Sequence, residues 1–209
     1  NALVVGSIVG FAGRRWRATG VDDKAKVVEV VAHNTGRVPK FDRLGQEPIH
    51  DRLAAEMLAV LLGEDRPDYL DDNAKELLAA GRSAFAELGL QRSRFIDAGS
   101  ATHVLTWRGT SANSLLAVLL TSMGFACETF DLGITLTGCP IDDAFDVIAS
   151  IDGCPPIEDL GRFVENLVIE KYDAYVPEDL LRRVWIRRYE PLREPMSQLI
   201  RELASIKPD

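Results

Sequence analysis

The chain has 209 residues, 46% of them hydrophobic and 27% charged, with a formal net charge of −8. That length suits one large domain or two small ones and is enough to bury a core. The acidic balance argues against indiscriminate nucleic-acid binding, and no apolar run nears the ~20 residues of a membrane span.

The sixteen residues from Gly6 to Val21 have the marks of a β-hairpin, with Gly10, Gly13 and the Asp22-Asp23 pair as punctuation. A third strand is expected at Lys26–Ala32, giving an antiparallel meander over residues 3–32. In the second strand, side chains alternate in direction. Trp16 and Ala18 then share one face, and Arg15, Arg17 and Thr19 the other. His33–Glu47 reads as a loop whose basic residues Arg37, Lys40 and Arg43 surround Phe41. Ile49, Leu53, Met57, Val60 and Leu61 fall at helical spacing, and Gly63 is a natural stop. The acidic run Glu64, Asp65, Asp68, Asp71, Asp72 and Glu76 follows. Asp71 or Asp72 can cap the next helix, with Leu77, Leu78, Gly81, Ala84, Phe85 and Leu88 as its core stripe.

Ala101–Trp107 alternates as a strand, with His103, Leu105 and Trp107 on one face. Thr110 or Ser111 can cap a helix that buries Leu115, Leu116, Leu119, Leu120 and Met123, and Gly124 closes it. Ala126–Leu136 reads as one or two strands. Cys139-Pro140 introduces a helix with Ile141, Phe145, Ile148 and Ile151. Gly153-Cys154-Pro155-Pro156 is a helix–helix turn. The remainder is all-helical, with stripes at Ile157, Leu160, Val164, Leu167 and Val168, then Leu180, Leu181 and Val184 after Pro177, then Leu192, Met196, Leu199, Ile200 and Leu203. The whole predicts an α+β fold: an antiparallel meander or open barrel packed with helices, a helical C-terminal third, and one compact domain over 3–209. Asn1-Ala2 has the look of a cleaved-tag remnant, so the chain is expected to be part of a longer protein.

Cys127, Cys139 and Cys154 are far apart and lack metal-ligand spacing, so neither a metal nor a cofactor is expected, and reduced thiols of a cytoplasmic protein are. Gly20–Lys26 lacks the second Gly and the Lys-Ser/Thr ending of a phosphate loop. Gly109-Thr110-Ser111-Ala112-Asn113 is similar to a nucleophile elbow but lacks its second Gly, and His33, His50 and His103 stand at no diagnostic spacing. Helix capping explains Thr110 and Ser111 better. Alternatively, Arg108, Thr110 and Ser111 could bind an anion at the helix N-terminus. Asp142, Asp143 and Asp146 solvate a helix face and complement its dipole.

Two segments interleave arginines with aromatic rings. One is Arg14-Arg15-Trp16-Arg17. The other runs from Arg182 to Arg193, where five arginines stand against the single Glu190. Guanidinium groups grip phosphates and rings stack on bases. That makes Arg14, Arg15, Arg17, Arg182, Arg183, Trp185, Arg187 and Arg188 candidate nucleic-acid contacts. The alternative is that Trp16 and Trp185 belong to the core and the arginines pair with Glu178, Asp179 and the acidic run.

Gly13-Arg14-Arg15-Trp16-Arg17, then Val21-Asp22 and a Lys-Val-Val strand, resembles the region after the helicase core in large helicase-related (Lhr-type) DEAD/DEAH-box proteins. The Leu115–Met123 helix with Gly124–Leu136 is similar to a helix–strand unit late in that region. Glu170-Lys171-Tyr172-Asp173-Ala174-Tyr175-Val176-Pro177-Glu178-Asp179-Leu180-Leu181-Arg182-Arg183 resembles its end. Gly20 stands where that pattern has a larger strand residue. The resemblance implies an accessory domain that packs beside the motor domains of an ATP-dependent helicase and helps cradle single-stranded DNA or RNA. It carries no catalytic residue into this chain; no membrane partner is expected either, since no apolar run is long enough for a span. Competing expectations are a scaffold docking acidic partners through the arginines, and a small hydrolase using Ser111.

Overall fold

The computed structural model describes residues 4–11, 14–22, 24–32 and 48–208, the side chains of 9–11 and 14–15 excepted. The expected loop at His33–Glu47 with its basic residues, and the side chains of Arg14 and Arg15, lie outside the described residues. The fold is α+β with antiparallel sheets. It divides into two compact units, Asn1–Glu47 and Pro48–Asp209, where the sequence alone predicts one.

The first unit is the expected meander: β1 (Ile8–Phe11), β2 (Arg14–Asp22) and β3 (Val27–Ala32), in that order and antiparallel. Trp16 lies opposite Val9 on one side and Ala32 on the other. Alternation holds along β2: Trp16 is half-buried, Arg17 exposed, Ala18 buried and Thr19 exposed. A bulge between Ala18 and Gly20 then shifts the register by one, so that Gly20 faces Glu29 and Val21 faces Val28. The extra residue restores the pattern, because without it strict alternation would put Gly20 and Asp22 beside Trp16 and Val21 opposite. At Gly20 a Cβ would meet the flexible end of the Glu29 side chain at 2.9 Å, a contact that side chain can relieve by turning away. Asp22 Oδ1 accepts from the backbone N–H groups of Lys24 and Ala25 and shapes the β2–β3 turn.

The second unit opens with a helical hairpin, α1 (Asp51–Leu62) and α2 (Asp72–Glu87), the latter capped by Asp71 as its sequence predicts. The stripes differ from those expected. Ala54 is buried and Leu58 and Leu61 are half-buried, while Leu53, Met57 and Val60 are exposed. On α2, Leu78 and Phe85 face inward and Leu77 and Leu88 outward. Arg82 takes an inward position that an apolar count passes over, because its guanidinium donates to the carbonyls of Val60 and Asp65. That satisfies an otherwise orphaned carbonyl in the last turn of α1.

β4 (Phe95–Asp97) and β5 (Ala101–Leu105) lead into α3 (Thr110–Ser122), followed by β6 (Ala126–Phe130) and β7 (Gly133–Thr137). The sheet order is β4-β5-β7-β6, antiparallel throughout. α3 is the central core element: Leu115, Leu116, Leu119 and Leu120 are buried with Val104, Ile134 and Leu136 of the sheet. Met123, expected inside, is exposed. A smaller cluster of Phe85, Leu90, Leu105 and Trp107 joins the helical hairpin to the sheet.

α4 (Ile141–Ala149) and α7 (Arg193–Ala204) complete the main core with Ile148, Met196, Leu199, Ile200 and Leu203. The long helix expected after Pro156 is short. α5 covers Ile157–Leu160 and gives way to a 3-10 turn at Gly161–Phe163. There α6 (Glu178–Tyr189) comes close, with a Cβ on Gly161 only 3.3 Å from Ile186, and Arg182 donates to the Gly161 carbonyl.

Candidate nucleic-acid interface

α6 starts after Pro177, whose fixed φ suits a helix entrance. Its buried side is Leu181, Trp185 and Tyr189, spaced i, i+4 and i+8. Trp185 is only 7% exposed and stacks on Tyr189, with ring centroids 4.5 Å apart. It is therefore a core residue and not a base platform, which corrects its candidacy as a nucleic-acid contact. Arg182 is turned aside as well, donating to Gly161 and to the Glu178 carboxylate. Leu180 and Val184, expected to face in, are exposed.

Arg183 and Arg187 stand opposite that buried side, and Arg188 flanks it next to Leu181; all three are exposed. Arg183 and Arg187 are one turn apart. Among the described residues none of the three is in a close ion pair. Three arginines thus present free donors from one rigid helix, each able to grip a phosphate.

The stretch preceding α6 folds into a 3-10 turn at Asp173–Tyr175. Asp173 Oδ2 accepts from the backbone N–H of Ile169 at 2.9 Å and of Glu170 at 2.8 Å. The N–H groups of Glu170 and Ile169, with the nearby Arg188 charge, hold the Asp173 carboxyl below its ordinary range. Tyr172 is 67% and Tyr175 84% exposed. Sequence reasoning missed both. Their signal was the spacing of two tyrosines around Asp173 in a stretch with no apolar period.

In the first unit, Arg17 is exposed on β2. Glu29 shares that face by the alternation of β3, and the bulge adds Asp22 to it, which weakens the face as an anion site. Arg14 and Arg15 remain outside the described side chains.

The α3 start is already occupied. Its N-cap is Gly109, not Thr110 or Ser111. Asp51 accepts from the Gly109 N–H, and Thr110 Oγ1 accepts from the Ile49 N–H at 2.9 Å. Gly109 is required there, since a Cβ would stand 2.3 Å from the Ile49 carbonyl. Arg108 is bound to Glu202 at 2.9 Å, and Ser111 is exposed. His50 Nδ1 caps its own helix and His103 Nδ1 meets Thr135 Oγ1. Among the described residues neither is hydrogen-bonded to Ser111.

Beside Arg108, Arg94 keeps its Nη1 buried without a hydrogen-bond partner, and burial pulls its guanidinium below the usual pKa. Burial likewise pushes the Cys127 thiol up to about 12 and the Cys154 thiol up to about 11, so neither is poised as a nucleophile. Among the described residues no His/Cys/Asp/Glu cluster could hold a metal ion, and no helix is long and apolar enough to cross a membrane. Comparison of the chain with protein-family models, with curated proteins and with solved structures returns no match.

Proposed function

We propose that this chain is the C-terminal accessory domain of an ATP-dependent DEAD/DEAH-box helicase of the Lhr-like type, cradling single-stranded DNA or RNA and bracing the motor domains in the cytoplasm. The observation that carries this reading is the outer face of α6. In a chain of net charge −8, it exposes Arg183 and Arg187 one turn apart, with Arg188 exposed at its flank. Such a local patch binds a polyanion while the rest of the molecule repels indiscriminate contact. ATP hydrolysis belongs to the parent's motor, and this chain supplies only grip.

The test is fluorescence anisotropy with a labelled single-stranded oligonucleotide over a range of salt. Binding should weaken steeply with salt and show little sequence preference. Unmeasurable binding at low salt would defeat the reading.

One observation favours a second reading, in which α6 docks an acidic protein partner. Leu180 and Val184 are exposed among the arginines, and apolar residues mixed with arginine are common in protein interfaces. Binding to an acidic protein that oligonucleotide fails to displace would support it.

A further inference from the structure

Resting on the reading of α6 as a phosphate-gripping face, we infer that Tyr172 and Tyr175 form the stacking platform for the bases of the same bound strand. A polyanion grip needs only cations, and it cannot tell a nucleic acid from any other acidic chain. Base contact requires exposed rings, and the buried Trp185 does not supply one. Tyr172 and Tyr175 do, and they lead directly through Val176 and Pro177 into α6.

Their geometry fits the role. The Tyr175 N–H donates to the Tyr172 carbonyl at 3.0 Å, closing one 3-10 turn. A 3-10 turn has about three residues per turn and rises ~2 Å per residue, so positions i and i+3 eclipse about 6 Å apart. The turn thus brings Tyr172 and Tyr175 close together along the chain, each with an exposed ring available to a base of an unstacked strand. The turn is fastened in advance by the two backbone bonds to Asp173. Lys171 Nζ lies 5.2 Å from the Tyr172 ring centroid, covering one side of that ring and placing a cation beside it. The Arg188 charge, at the flank of α6, also acts on Asp173, which associates that one arginine with the tyrosine turn.

The experiment compares the full chain with Tyr172→Ala/Tyr175→Ala, Tyr172→Phe/Tyr175→Phe and Arg183→Ala/Arg187→Ala/Arg188→Ala. Each is titrated with oligo-dT and with an abasic strand of the same length and charge, and circular dichroism confirms folding. The wild-type chain should prefer oligo-dT. The double Ala variant should lose that preference, by about ten-fold per ring, with an unchanged salt slope. The Phe variant should keep it, and the arginine variant should bind both ligands more weakly, with a lower salt slope. Equal wild-type affinity for the two strands, or a double Ala variant that still prefers oligo-dT, overturns the platform and leaves the arginine grip standing. No binding of either strand overturns both. Loss of acidic-protein binding in the double Ala variant, with oligo-dT affinity intact, would reassign the tyrosines to a protein partner.

Discussion

β2 and α6 carry the same kind of sequence, arginines crowded around a tryptophan, on two different backbones. On the strand the period of two separates neighbours, so Trp16 turns in and Arg17 out. On the helix the separation takes 3.6 residues, so Trp185 turns in while Arg183, Arg187 and Arg188 turn out. In both, the ring is drawn inward because it has the most apolar area to hide. The difference lies in what surrounds it. Trp185 sits in a core with Leu181, Tyr189, Leu160 and Ile157, whereas Trp16 stays half-buried in a sheet whose third strand exposes Val27, Val28, Val30 and Val31. The basic faces differ too, since β2 brings acids onto the face of Arg17 and α6 holds three arginines clear of close ion pairs.

The largest effect is therefore expected from Trp185→Ala. A buried aromatic removed from a packed core costs about 3–5 kcal/mol, and urea unfolding should show it. Trp16→Ala should cost less, about 2 kcal/mol. Equal losses for the two variants would mean that the meander packs its tryptophan as tightly as the larger core does. Next comes binding. Removing Arg183, Arg187 and Arg188 together should lower the salt slope by about 2, since each phosphate contact on a single strand contributes ~0.7. Arg17→Ala should change the slope by less than ~0.7. A reversed ranking would move the interface to the meander.

The smallest effect concerns the tyrosine turn. The folded pKa of Asp173 is depressed, so its contribution is fully present above the unfolded value of about 4 and is lost as pH falls through the folded one. Amide exchange at Ile169 and Glu170, extrapolated to a common intrinsic rate, should stay protected at pH 6 and lose protection in acid. Asp173→Asn should lessen that dependence. A wild-type protection unchanged by acid would show that the turn stands without its carboxylate.

Much of the fold was legible because its elements are strongly patterned. The meander, the β6–β7 pair, the Asp71 cap, and the stripes of α3 and α7 follow from turn residues and spacing. What misled was competition between apolar stripes on one helix. α1 offers Leu53, Met57 and Val60 on one side and Ala54, Leu58 and Leu61 on another, and only the second packs. α6 offers Leu180 and Val184 against Leu181, Trp185 and Tyr189, and the heavier set is buried. Arg82 and Arg182 were illegible for another reason. Each reaches a main-chain carbonyl far away in sequence, and no local period encodes that. In the candidate interface the arginines were visible from composition, while the spacing of Tyr172 and Tyr175 around Asp173 gained meaning only with their exposure.

The bulge at Thr19 makes β2 unusually forgiving at a single position. Losing one residue from a regular strand turns every later side chain to the wrong face. Here the spare residue can go: Ala18 would still pair with Val30 and the next residue, Gly20, with Glu29, leaving every partner beyond the gap unchanged. What would be lost is the local bend and extra twist that a bulge imparts. A chain lacking Thr19 is thus expected to keep its meander, whereas one lacking Arg17 would transpose Trp16 and Ala18 onto opposite faces and fail to close it. Relatives one residue shorter at this point would share the same sheet, so alignments of this strand should admit a gap there and nowhere else.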